Sequence, residues 1–142
     1  MLFKTAAYGD EKEFMTVQNI GAQSMTTGNP VVLAQAAASF NGTQAIVYVS
    51  SGGQGFIGVA YKDIAGNAYG LIQNLGPTAS ILLSNVGTSI TINIGDPLVP
   101  GPGGFFSAAP TYLNSGFKYV IASNVPAAVS GSAYASGYIR AI

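Results

Sequence analysis

Apolar residues gather in short runs along the chain, and glycine, proline, asparagine and serine part them. The clearest runs are Val31–Gln35, Ala45–Val49, Gly55–Tyr61, Ala68–Gln73, Ser80–Leu83, Ser89–Ile94, Phe105–Ala108, Lys118–Ala122 and Ala133–Ile142. Between them stand Asn41-Gly42, Ser51-Gly52-Gly53, Gly66-Asn67, Leu75-Gly76-Pro77, Gly95-Asp96-Pro97 and Pro100 to Gly104. Glycine supplies positive φ and proline fixes φ, so each break predicts a turn. Ser89-Ile90-Thr91-Ile92-Asn93-Ile94 alternates strictly and predicts a half-buried strand with three isoleucines on one face. Short strands parted by turns at this spacing predict an all-β chain. The expected fold is a small β-barrel or β-sandwich, jelly-roll and tulip-like forms included, with at most one short helix. The place for that helix is Ala34–Phe40, where three alanines run together.

One motif recurs. Gly28-Asn29-Pro30-Val31-Val32-Leu33 returns as Gly95-Asp96-Pro97-Leu98-Val99-Pro100, a turn leading into a strand. An apolar strand follows each copy, Phe56-Ile57-Gly58-Val59-Ala60 in the first and Tyr119-Val120-Ile121-Ala122-Ser123 in the second. Two copies are too few for a solenoid and fit a barrel or sandwich whose halves are related.

Charge then changes the picture at the N-terminus. Only 7% of the 142 residues are charged, five basic against five acidic, where a typical soluble domain carries about a quarter. Lys4, Asp10, Glu11, Lys12 and Glu13 hold half of that charge. This opening stretch has no clean apolar period, so residues 1 to 27 are expected to form an extended arm and residues 28 to 142 the β body. The spaced apolar residues Phe3, Tyr8, Phe14, Val17 and Ile20 are the expected partner-binding anchors of the arm.

The same composition narrows the chemistry. The chain has no His and no Cys, which leaves out imidazole base catalysis, thiolate chemistry and His/Cys metal sites. A formal net charge of zero does not suit a grip on nucleic-acid phosphates. Despite a mean hydropathy of +0.39, the best apolar run, Pro30–Phe40, falls well short of the roughly 20 residues of a spanning helix. The opening sequence lacks the apolar core of a secretory signal. No membrane, nucleic-acid or cofactor partner is expected.

Three motifs invite a catalytic or binding role, and each has a structural explanation. Gly53-Gln54-Gly55-Phe56-Ile57-Gly58 matches G-x-G-x-x-G. A dinucleotide site needs a helix next, and Val59-Ala60-Tyr61-Lys62-Asp63 with Gly66 and Gly70 cannot supply one. Asp63 and Asp96 are the body's only carboxylates. Asp63 adjoins Lys62, and Asp96 sits in a Gly-Asp-Pro turn where Asp caps its own backbone. Serine and threonine abound, but no G-x-S-x-G elbow or activating His accompanies them. Asn41-Gly42-Thr43 fits a glycosylation sequon and, as Asn-Gly, fits a hairpin turn equally. The residues point away from an enzyme.

The stretch ILLSNVGTSITINIGDPLVPGPGGFFSAAP, Ile81 to Pro110, resembles the head-decoration (capsid cement) proteins of tailed bacteriophages. The carriers of the likeness are Gly95-Asp96-Pro97-Leu98-Val99, the glycine-rich Gly101–Gly104 and the small residues Ser107-Ala108-Ala109. Asn29-Pro30-Val31-Val32-Leu33 and Phe56-Ile57-Gly58-Val59-Ala60 are similar to two further strands of that family. The resemblance implies a β body, often trimeric, on the outer surface of an icosahedral head. It also implies an N-terminal arm that orders on the major capsid protein. The expected function is therefore structural: bridging coat subunits of a virion. The alternatives are a carbohydrate-binding β-sandwich of an adhesion module, whose aromatics would face solvent, and a self-assembling lattice subunit.

Overall fold

A computed structural model describes residues 11–34, 44–47, 55–84, 93–101, 104–107, 119–124 and 132–141. The described chain is all β. Its strands are β1 (Glu13–Asn19), β2 (Pro30–Leu33), β3 (Gln44–Val47), β4 (Phe56–Ala60), β5 (Tyr69–Ser84), β6 (Pro97–Gly101), β7 (Gly104–Ser107), β8 (Tyr119–Asn124) and β9 (Ser132–Arg140). They form one nine-stranded sheet in the order β1-β3-β2-β4-β5-β7-β6-β8-β9, with further pairings of β5 to β1 and to β9.

Those two further pairings fold the sheet into a pair of rings. β1, β3, β2, β4 and the first half of β5 return to β1. The second half of β5, then β7, β6, β8 and β9, return to β5. Each ring is antiparallel except at one place, β1 beside β3 in the first and β5 beside β7 in the second. Closing a sheet on itself pairs the edges that would otherwise invite aggregation. In a chain with so little charge, that protection matters more than usual.

The rings are two versions of one unit, as the recurring turn predicts. In the first, the Asn29 N–H donates to Thr26 O at 2.9 Å, while the Asn29 side-chain oxygen accepts from the Thr26 N–H at 2.8 Å. In the second, Asp96 makes the same pair of bonds with Asn93, at 3.0 and 2.7 Å. The Gly28 N–H donates to Ala60 O as that of Gly95 does to Ala122 O. Pairing then runs in step: Val59 faces Gln73 and Ala60 faces Ile72, as Ile121 faces Tyr138 and Ala122 faces Gly137. Ala68-Tyr69-Gly70 therefore corresponds to Ala133-Tyr134-Ala135. Tyr69 and Tyr134 both lie exposed.

Each ring encloses a core. Val17, Met25, Val31, Ala45, Ile57, Ala60, Ile64 and Ile72 fill the first. Ile81, Leu83, Leu98, Phe105, Val120, Ala122, Ala135 and Ile139 fill the second, where Phe56 and Val59 of β4 join them. Phe56 meets Phe105 edge to face with ring centroids 5.7 Å apart, a favoured aromatic geometry. Strand β4 thus belongs to both cores, and with the shared β5 it locks the two barrels together.

Four expectations are corrected. From Glu13 the supposed arm is a body strand: β1 pairs with β5 and β3, and Val17 and Met25 are fully buried. The arm-like look of this stretch comes from a β1 whose outer face mixes Phe14 with polar Thr16. Gly76-Pro77 does not end a strand but lies inside β5. There Gly76 takes φ +101°, and the backbone carbonyl of Glu11 occupies the space a Cβ would need. This is where β5 passes from its first-ring partner β1 to its second-ring partner β9. Pro100 to Gly104 is not a single turn, for β6 and β7 pair through Gly101 and Gly104. Ile94 lies in a turn, 75% exposed, rather than on the buried face of a strand. The rest of that expected strand through Ile92, residues 35–40 of the expected helix, and Asn41-Gly42 lie outside the described residues.

Candidate functional site

Six large apolar side chains among the described residues are exposed: Phe14, Tyr61, Tyr69, Leu71, Ile94 and Tyr134. Three of them come together on the outside of the first barrel. Phe14 on β1 lies opposite Gln73 of β5, and Leu71 on β5 lies opposite Thr16 of β1. Tyr61 follows β4 directly, and its N–H donates to Leu71 O at 3.1 Å. The rings of Phe14 and Tyr61 meet edge to face, centroids 4.9 Å apart. All three side chains remain between 41% and 45% exposed. Strand alternation explains the row: Val17 and Ile72 point into the barrel, so Phe14 and Leu71 must point out.

The second barrel provides an internal control. By pairing, Tyr61 corresponds to Ser123, Leu71 to Ser136 and Phe14 to Pro77. The same fold is thus built with serine where the first barrel exposes tyrosine and leucine. The barrel itself does not require large apolar groups there.

Beside the aromatic pair, where the barrels meet, is a cleft of about 180 Å³ lined by Lys12, Val59, Ala60, Tyr61, Gln73, Thr78, Ala79 and Ser80. Val59, Ala60 and Gln73 are buried and form its floor. The Gln73 amide donates both hydrogens to its own strand, to Leu75 O and Pro77 O at 3.0 Å each. That fixes the amide and leaves Oε1 as its remaining acceptor. The Thr78 hydroxyl accepts from the Ser80 N–H at 3.2 Å and keeps its own proton to donate. Lys12 is the only charged group in the lining. It makes no ion pair or hydrogen bond among the described residues.

Of the expected anchors, Phe14 is on this face, Ile20 is half-buried, and Val17 is enclosed in the first core and unavailable to a partner. Phe3 and Tyr8 lie outside the described residues. The glycine-rich motif leads into a strand: Gly55 turns the chain with φ +76°, and a Cβ on Gly58 would lie 2.6 Å from Gln73 O. Asp96 caps its turn as expected. Asp63 does similar work between two turns, accepting from the Thr27 N–H at 2.7 Å and the Thr27 hydroxyl at 2.9 Å. The backbone bond first, and the hydroxyl second, hold its carboxyl below the ordinary value. Tyr61, Leu71, Gln73 and Lys12 were not singled out in the sequence. A signal for the first two exists in the recurring motif, since aligning the halves sets Tyr61 against Ser123. No known protein family and no curated protein matches the chain.

Proposed function

We propose that this chain is a structural virion protein, a decoration or cement protein that sits on the outer surface of a phage head and bridges major capsid protein subunits. The observation that carries the reading is the exposed Phe14–Tyr61–Leu71 face, apolar where the sister barrel has Pro77, Ser123 and Ser136. Interfaces are enriched in aromatic residues and depleted of charge at their centres. The sparse charge of the whole chain and the resemblance of Ile81–Pro110 to decoration proteins support the same reading.

The job needs no chemistry. A protein that binds the assembled shell and not its dispersed subunits stabilises the assembly by mass action. If it associates as a trimer, each protomer holding a different coat subunit, the second and third contacts form at high effective concentration and the combined grip far exceeds one contact. Closed barrels suit the role because they present the face without an ordering cost. With burial as the driving force, attachment should depend only weakly on salt.

The test is to add the protein to shells assembled from the coat protein encoded beside it. Saturable co-sedimentation and a higher disassembly temperature of the shell are expected, with a trimer by analytical ultracentrifugation. A monomer that leaves shell stability unchanged would contradict the reading.

A further inference from the structure

We infer that the cleft beside the aromatic face is a socket for one carboxylate side chain, Asp or Glu, of the docked coat polypeptide. This deepens the shell-binding reading and rests on it. The cleft shares Tyr61 with the apolar face, so a chain seated on Phe14 and Leu71 passes over its mouth. At about 180 Å³ it is smaller than sites that take drug-sized ligands, roughly 300 Å³ and upward, and matches a single side chain.

Its chemistry selects the charge. Lys12 is a cation without an anion among the described residues, and the rest of the lining contributes the Thr78 and Ser80 hydroxyls as donors. No carboxylate lines it. Glu11 and Glu13 adjoin Lys12 in sequence but do not line the cleft. An incoming carboxylate would gain an ammonium and hydroxyl donors in a site that the aromatic pair shields from water, where charge-assisted bonds are strongest. An incoming cation would meet Lys12 with nothing to offset it.

Shell binding of four variants tests this, and none of the substituted side chains belongs to a core. Lys12→Glu should weaken binding at least tenfold, Lys12→Arg should keep it, and Glu11→Gln should leave it unchanged or tighten it. Tyr61→Ser with Leu71→Ser should abolish binding whatever stands at position 12. If the double variant fails to bind while Lys12→Glu binds normally, the socket is overturned and the shell reading stands. If Glu11→Gln weakens binding and Lys12→Glu strengthens it, the partner group is cationic and the inference is wrong. If the double variant binds as well as the unmodified protein, the shell reading itself fails. Should Lys12→Ala abolish binding of free acidic saccharides, read by NMR shifts at Tyr61 and Gln73, with shell binding unchanged, the cleft is a sugar site and the socket is overturned.

Discussion

Asn29 and Asp96 occupy equivalent turns in the two barrels and make the same three contacts. Each donates its N–H to the residue three positions earlier, accepts that residue's N–H on its side chain, and accepts on its own carbonyl the N–H of a strand alanine, Ala60 or Ala122. Losing the side chain leaves an amide unsatisfied in each case. Asn29→Ala and Asp96→Ala should each cost about 1–2 kcal/mol. The conservative exchanges should differ. Asp96→Asn keeps the acceptor and should be nearly neutral, whereas Asn29→Asp places a carboxylate in a buried site and should destabilise. Urea denaturation of the four variants checks both statements.

Gly28 and Gly95 give a second paired comparison. Both adopt the left-handed region, at φ +87° and +90°. A Cβ at Gly28 would lie 2.7 Å from the Leu82 nitrogen and 2.8 Å from Ser80 O, while nothing lies within 4 Å of one at Gly95. Gly95→Ala should cost only the conformational penalty, about 1–2 kcal/mol. Gly28→Ala adds a collision with backbone and should cost about 1–3 kcal/mol more. Equal melting temperatures for the two variants would contradict this.

The linked cores predict a single unfolding event. Phe105→Ala should cost about 3–5 kcal/mol. Because Phe56 and Val59 of the first barrel pack in the second core, the loss should lower the stability of both barrels together. Calorimetry of the variant should give one transition at a lower temperature. Two separated transitions would show that β4 and β5 do not couple the halves.

Asp63 sets a pH dependence. Its folded carboxyl titrates below the ordinary value of 3.8 because Thr27 donates two hydrogen bonds to the ionised form. The stabilisation is therefore fully present above the unfolded value and is lost as pH falls through the lowered folded one. Asp63→Asn should melt below the unmodified protein from neutral pH down to about 4, and the gap should close in more acidic solution. A gap that widens on acidification would contradict the assignment.

Strand positions were largely legible in the sequence, because β-formers and turn residues alternate with a local mechanism. So was the kinship of the halves, carried by Gly28-Asn29-Pro30 and Gly95-Asp96-Pro97. What the sequence hid was context. Gly76-Pro77 ordinarily stops a strand, and only the exchange of β1 for β9 as partner lets β5 continue through it. Residues 13–19 looked unattached because Val17 and Asn19 find their partners far along the chain, the Asn19 amide on Ile64 O and the Asn19 N–H on Ala68 O. Of the candidate site, Phe14 was visible as a spaced aromatic. Tyr61 and Leu71 were visible only as members of strands, since which face a strand buries is decided by the closed ring.

The most direct measurement compares shell affinity of Tyr61→Ser/Leu71→Ser with that of Ser123→Ala/Ser136→Ala, the same positions in the sister barrel. Losing a tyrosine and a leucine from the centre of an interface removes about 3–5 kcal/mol. The first variant should therefore bind more than a hundredfold more weakly while melting within a few degrees of the unmodified protein, and the second should bind normally. Equal affinity of the two variants would contradict the assignment of the first barrel's outer face as the docking surface.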